Sequence, residues 1–343
     1  MQTETMFCGT CVAPGQFELI SQPMPKSAPD GWVLVETAAV GICGTDYHIF
    51  DGKHPFLNYP RVIGHELSAH VVQDAGPWRA GQLVVVNPYL SCGICRACTR
   101  GKPNCCMAIE VLGVHRDGGM CARFAVPEGN LYAADGLTAR QAAMVEFLAI
   151  GAHAVARSGV GAGDLVLVTG AGPIGLGTAL FAKAAGAVVH LLDTSAARLA
   201  AARAFGFDTG LLPGQDLPVQ GGYDVVFDAT GNTKAIEAGF AHVAHGGTYV
   251  LVSVVRDEIT FSDPEFHKRE MRLIGSRNAL VADFEAVMTA LRTGAIDAAL
   301  LESEVLTLAD LPARFPDLVA NRDGIIKVIV DFGLPDITAG AVA

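Results

Sequence analysis

Short apolar runs open the chain, and their rhythm changes twice along its length. Up to about residue 136, runs such as 32–40 and 83–86 are broken by Gly, Pro and Asn turn signals, which predicts a mostly β region. From about Leu137 the composition turns Ala-rich at helical spacing. Apolar strand candidates follow at 165–169, 188–193, 223–228, 247–252 and 272–274, and Ala-rich helical stretches such as 175–185 and 196–205 separate several of them. Strands that are apolar along their whole length and alternate with helices predict βαβ units around a parallel sheet covered on both faces. Beyond about residue 278 the pattern mixes helix and strand again, with a strand expected at 325–330. This last segment is read as rejoining the first domain, because an inserted domain leaves the two ends of its host together. The expected boundaries are 1–148 with 279–343 for the β domain and 149–278 for the α/β domain. No internal repeat or low-complexity tract interrupts them.

The 343 residues are enough for two domains, each with its own core, and 51% hydrophobic with 17% charged residues describes a globular chain rather than a disordered or fibrous one. A formal net charge of −11 and the lack of a basic helix face argue against nucleic acid or an anionic membrane as partner. The first 14 residues are too polar for a secretory signal and carry no basic flank, so the cytoplasm is the expected compartment. Nine cysteines, odd in number and unevenly spaced, fit metal ligation better than a disulfide framework.

The candidate strand 165–169 runs directly into Gly170-Ala171-Gly172-Pro173-Ile174-Gly175 and then a helix. Only in this context do the glycines make a dinucleotide fingerprint: a tight turn, room for a pyrophosphate and close helix–sheet packing, with the helix N-terminus facing the phosphates. Asp193 ends the second strand, where a carboxylate hydrogen-bonds adenosine ribose hydroxyls and repels a 2′-phosphate, so NAD is expected over NADP. Arg198 either crosses the adenine or is solvated on its helix face.

Cys92-x2-Cys95-x2-Cys98-x7-Cys106 offers four thiolates in one short loop, enough to close a tetrahedral zinc shell with no position left for substrate, hence a structural site. Cys105 is a spare thiol. A second constellation is dispersed: Cys43, Thr45, Asp46 and His48, then His65 and Glu66, then Glu146. A catalytic zinc needs three protein ligands and an open position, which Cys43, His65 and one carboxylate would supply. Taken singly these residues are better read as a core thiol, a turn histidine and a helix N-terminal carboxylate, since no local spacing binds them together. Cys8-Gly-Thr-Cys11 matches a redox C-x-x-C, but it lies in the first β region rather than at a strand-to-helix turn, so a structural role is expected for it.

Gly41-Ile-Cys43-Gly-Thr45-Asp46, Gly64-His65-Glu66, the four-cysteine loop and Gly170-Ala-Gly172-Pro-Ile-Gly175-Leu-Gly, in this order, resemble the zinc-containing medium-chain dehydrogenases over essentially the whole chain. The resemblance implies an α/β chain: a GroES-like, mostly β catalytic domain with an inserted doubly wound Rossmann domain, and an active site in the cleft between them. It implies that Cys43 and His65 bind catalytic zinc and that Thr45 and His48 relay a proton. Asp46 would orient a ligand, and Thr230 would join the cofactor contacts. The third ligand stays open between Glu66 and Glu146, with Glu146 favoured at rest and Glu66 exchanging with water or substrate. Segments around Tyr59-Pro-Arg61, Val111–His115, 261–270 and Gly275-Ser-Arg277-Asn278 resemble the bacterial L-galactonate 5-dehydrogenases, which implies oxidation of a C5 hydroxyl on an aldonate or related polyol. An acidic substrate would need local cations or donors, for which His115, Lys268, Arg277 and Asn278 are candidates. Phe147 and Met120 depart from common family residues at positions expected near the pocket. Relatives assemble as dimers or tetramers through the Rossmann sheet edge, so a homo-oligomer is expected. The competing readings are a sorbitol- or L-threonine-type dehydrogenase and, in another class, a zinc-ribbon regulatory protein without turnover.

Overall fold

The computed structural model describes residues 4–53 and 57–334. By its internal contacts the chain divides into two compact units, Met1–Glu146 with Met288–Ala343, and Phe147–Val287.

The first unit begins with strands β1 (Thr5–Ala13), β2 (Gln16–Pro23) and β3 (Trp32–Ile42), then helix α1 (Gly44–Phe50). It continues through β4 (Arg61–Val62), β5 (Glu66–Val71), β6 (Leu83–Val86), β7 (Tyr89–Leu90), β8 (Glu110–Val111), β9 (Arg123–Pro127) and β10 (Leu131–Ala133). Helix α2 (Ala139–Ala143) packs on β3 and β5, which is why the second half of β3 is buried on both faces instead of alternating. Val40, Leu67 and Val86 lie side by side across β3, β5 and β6, each at most 1% exposed. Burial of each contributes about 1.5–3 kcal/mol, and a one-residue slip would turn all three to the opposite face, so they pin the register.

Helix α3 (Val145–Ser158) crosses into the second unit. There β11 (Leu165–Thr169), α4 (Pro173–Ala184), β12 (Val188–Leu192), α5 (Ala196–Ala202), β13 (Gly210–Leu211), β14 (Tyr223–Asp228), α6 (Thr233–Gly239), β15 (Val243–Leu251), α7 (Asp263–Lys268) and β16 (Arg272–Gly275) alternate. All six strands are parallel, in the order β13-β12-β11-β14-β15-β16. The order therefore reverses between β11 and β14, and the carboxyl ends there form the crevice where doubly wound folds bind nucleotides. Strand β13, with two residues, is too short to leave a periodic signal, and β15 starts earlier than the expected 247–252 because Gly246 and Gly247 mask its apolar pattern.

After α8 (Val281–Arg292) and α9 (Ala298–Leu301), the chain supplies β17 (Glu302–Leu306), α10 (Leu311–Ala320) and β18 (Lys327–Asp331). These strands complete a seven-stranded sheet of the first unit, ordered β10-β6-β5-β3-β18-β17 with β9 also on β3. The returning tail thus lands beside β3, the strand that ends one residue before Cys43. Among the described residues no helix is long and apolar enough to cross a membrane.

Candidate active site

Strand β3 hands over to α1 at Cys43, whose extended backbone (φ −108°, ψ 158°) caps the helix, and the Asp46 carboxylate accepts the Cys43 backbone N–H at 2.9 Å. Across the β3–β5 ladder Gly41 lies opposite Glu66, and a Cβ at position 41 would come within 2.1 Å of Glu66 Oε2, so glycine leaves room for the carboxylate. His65 directly precedes β5. This register brings one ligand atom each from Cys43, His65 and Glu66 within 4.8 Å of one another. His65 Nδ1 and Asp46 Oδ1 face each other at 3.6 Å, both buried and neither with a hydrogen-bond partner. A thiol, an imidazole and a carboxylate converging beside two orphaned polar atoms are a donor set suited to zinc, with Asp46 placed to orient the imidazole. Burial opposes a charge on His65, yet the Cys43 and Asp46 charges outweigh it and push its pKa well above the usual value.

The two candidate carboxylates are held differently. Both oxygens of Glu66 accept hydrogen bonds from Lys327 Nζ, at 2.7 and 2.6 Å, in a pair that is almost wholly buried. Lys327 also donates to the Ile42 carbonyl at 3.2 Å, because β18 pairs with β3 and sets Val328 opposite Ile42. Glu146, in the first turn of α3, lies outside the three-residue cluster and accepts a hydrogen bond from the Tyr89 hydroxyl. Burial pushes the Glu146 carboxyl up to about 7, against the pull of the His65 charge. Glu66 is thus the carboxylate inside the cluster, and the ammonium of Lys327 competes for it. Sequence reasoning missed both Lys327 and Tyr89. Thr45, half-buried, and His48, exposed, sit three residues apart on one face of α1.

Ligand atoms of Cys92, Cys95, Cys98 and Cys106 also gather within 4.8 Å, while exposed Cys105 stays outside the group. The backbone N–H of Cys95 donates to Cys92 Sγ at 3.4 Å and that of Cys92 to Cys106 Sγ at 3.2 Å. Hydrogen bonds from the backbone at Cys98 and Met107 lower the Cys95 thiol to about 6, which predisposes this sulfur to the thiolate form, whereas desolvation and the neighbouring thiols raise Cys98 to about 11.

In the second unit Gly172 caps α4, with Pro173 and Ile174 opening the helix, and a Cβ at 172 would meet nothing within 4 Å, leaving open space at the helix start. Gly170 has φ +91°, and a Cβ at Gly175 would strike the Gly170 carbonyl at 1.7 Å, so both positions require glycine. Asp193 accepts the Ala171 N–H at 2.6 Å and the Ser195 N–H at 2.7 Å, which ties the carboxylate to the glycine turn itself. Arg198 Nη1 lies 3.8 Å from it, beside the carboxylate rather than loose on the helix face. Thr230 donates to the buried Asp228 carboxylate at 2.6 Å, which also accepts from Thr169 at 3.3 Å and from Ser253. This hydroxyl network at the carboxyl ends of β11 and β14 was not anticipated from sequence.

The substrate candidates fall in both units. His115 Nδ1 accepts the Val111 N–H at 3.1 Å within its own turn, in the first unit. In the second unit Lys268 is 65% exposed and pairs with Glu265 at 3.5 Å, as a solvated helix charge does, while Arg277 is exposed and Asn278 half-buried with φ +51°. Met120 and Phe147 are both fully buried, and Met120 packs within the core of the first unit.

Comparison with known proteins agrees with this geometry. Residues 29–136 match the alcohol dehydrogenase GroES-like domain family and residues 173–293 the zinc-binding dehydrogenase family. The L-galactonate-5-dehydrogenase of Escherichia coli K12 is 42% identical over 319 residues, covering 88% of this chain and 92% of that protein. Two crystal structures superpose over 96% of this chain and 99% of theirs: a zinc-binding dehydrogenase of Sinorhizobium meliloti bound to NADP (28% identical, TM-score 0.88) and an E. coli CFT073 alcohol dehydrogenase complexed with NADH (27%, 0.89). With its paired GroES-like and Rossmann folds and its two clusters of metal-ligand side chains, the chain belongs to the zinc-type alcohol dehydrogenases.

Proposed function

We propose that the protein is an NAD-linked, zinc-dependent dehydrogenase that oxidises a secondary hydroxyl of a sugar acid or polyol, the C5 hydroxyl of an L-galactonate-type aldonate foremost. The observation that carries the reading is the convergence of Cys43, His65 and Glu66 within 4.8 Å, in a chain 42% identical to an L-galactonate dehydrogenase.

Bound zinc supplies Lewis acidity that makes a substrate hydroxyl acidic, and bound NAD supplies the hydride acceptor. Cys43, His65 and a carboxylate from Glu66 or Glu146 hold the metal, and Asp46 orients His65. Thr45 accepts the hydroxyl proton and His48, exposed on the same face of α1, delivers it to solvent. Gly170, Gly172, Pro173, Ile174 and Gly175 cradle the pyrophosphate, Thr230 borders the crevice, and Asp193 receives the ribose hydroxyls. Each Asp193 oxygen already accepts one backbone N–H and keeps a lone pair for a ribose. Its charge disfavours a 2′-phosphate, which supports NAD although Arg198 stands nearby and one relative binds NADP. His115, Lys268, Arg277 and Asn278 are the substrate-recognition candidates of this reading. The cysteine lobe at Cys92, Cys95, Cys98 and Cys106 holds a second, structural zinc. A homodimer or homotetramer acting in the cytoplasm completes the proposal.

The test is NADH formation over a panel of aldonates, hexitols and L-threonine. The expected result is fastest turnover on L-galactonate. Faster turnover on sorbitol or L-threonine would replace the substrate assignment, and no turnover on any alcohol would favour a binding protein.

A further inference from the structure

The Cys8-x-x-Cys11 motif has no part in the chemistry described so far, and its two thiols cannot pair with each other. Three residues of β1 span about 10 Å at strand rise and place the two side chains on opposite faces, whereas a disulfide needs Cα atoms about 4.4–6.8 Å apart. Cys8 has a different partner. It lies directly opposite Cys121 in an isolated antiparallel bridge. The Gly9 N–H bonds the Met120 carbonyl at 2.7 Å, one residue to the side, which makes Cys8 and Cys121 a non-hydrogen-bonded pair. In such pairs the Cα atoms approach to about 4.5 Å with the side chains close, inside the range a disulfide requires. The Cys121 thiol donates to the Arg123 carbonyl at 3.5 Å and the Gly118 carbonyl at 3.8 Å, and both cysteines are at most 4% exposed.

We propose that Cys8 and Cys121 form a reversible disulfide when the protein meets a small peroxide. Hydrogen peroxide, about the size of water, oxidises the Cys8 thiol to a sulfenic acid and releases one water. The Cys121 sulfur then attacks the Cys8 sulfur; the S–S bond forms, the S–O bond breaks, and the thiol proton leaves with the hydroxide as a second water. Two thiols and one peroxide give one disulfide and two waters, and a dithiol reverses the step by exchange. The Cys121 thiol beside it holds the Cys8 thiol below its usual pKa, which favours Cys8 as the sulfur that first attacks the peroxide.

The bond would act on the wall behind the candidate metal site. Met120 is seated between Gly9 and Gly64: its N–H bonds the Ile63 carbonyl at 3.0 Å, and the Gly119 N–H bonds the Gly64 carbonyl at 3.1 Å, directly before His65. Joining residue 121 to β1 fastens this wall and closes a loop of roughly 110 residues, for which a rise in thermal midpoint of about 5–10 °C is expected.

The experiment treats the zinc-loaded full chain with hydrogen peroxide, then denatures, alkylates, digests and weighs the peptides with and without dithiothreitol. The expected product is a peptide pair joined through Cys8 and Cys121, two hydrogens lighter than its parts and lost on reduction. Recovery of both residues as free alkylated thiols, after a treatment that has oxidised exposed Cys105, would overturn the proposal, as would a link from Cys8 to Cys11. The mass measurement needs no variant. Where Cys121→Ala folds, it must also lose the peroxide-induced rise in thermal midpoint, and a rise retained there would equally count against the pair.

Discussion

Replacing Lys327 with methionine removes the ammonium that binds both oxygens of Glu66 while keeping a similar volume. Both side chains are at most 1% exposed, so the stranded Glu66 carboxylate has no water to take the place of the lost donors. Breaking a buried ion pair from one side costs about 3–5 kcal/mol, whereas replacing both members is often close to neutral. Metal-free Lys327→Met should therefore lose about 3–5 kcal/mol in a urea titration at neutral pH. Glu66→Gln combined with Lys327→Met should recover at least about 2 kcal/mol of that loss, a coupling well above the additivity error of independent sites. The same single variant releases Glu66 toward Cys43 and His65. It should bind zinc about tenfold or more tightly in competition with a chromophoric chelator, corresponding to about 1.4 kcal/mol. A stability loss below about 1 kcal/mol, or losses that simply add in the double variant, would refute the idea that Lys327 is what holds this carboxylate.

Other consequences are as direct. Because burial raises the Glu146 carboxyl to about 7, the folded metal-free protein holds that proton more tightly than the unfolded chain does. The resulting stabilisation is full below about pH 4.5 and is lost as pH rises through 7, about 3 kcal/mol in all; denaturation midpoints at pH 5 and pH 8 should show the drop, and Glu146→Gln should remove most of it. Asp193→Ser takes away the charge that repels a 2′-phosphate, beside the Arg198 guanidinium, so the ratio of kcat/KM for NADP over NAD should rise about 10- to 100-fold in steady-state assays. Cys95→Ser removes one of four converging thiols; bound zinc should fall by about one ion per chain by elemental analysis, and the thermal midpoint should drop with it.

What the sequence revealed and what it hid follow from the range of each signal. The glycine fingerprint and the four-cysteine loop are local, so strand, turn and helix context along the chain suffices to mark them. Cys43, His65 and Glu66 were reachable only through resemblance, because the β3–β5 register that joins them leaves no fixed spacing. Lys327 is 261 residues from Glu66, and nothing in its neighbourhood marks it; a lysine inside an apolar strand, Lys327–Asp331, was the one available hint of a buried partner. Tyr89, 57 residues from Glu146, was equally silent. The Cys8-x-x-Cys11 motif misdirected because motif spacing ignores strand geometry: across a bridge Cys8 faces Cys121, and Cys11 points to the other side.

The central claim is that a thiol, an imidazole and a carboxylate of the first unit hold a zinc ion distinct from the one in the cysteine lobe. Elemental zinc per chain in purified Cys43→Ala, set against the wild type, tests it most directly. The account predicts about two ions in the wild type and about one in the variant, the remaining ion staying with the lobe. A variant that retains the full wild-type zinc content would contradict it.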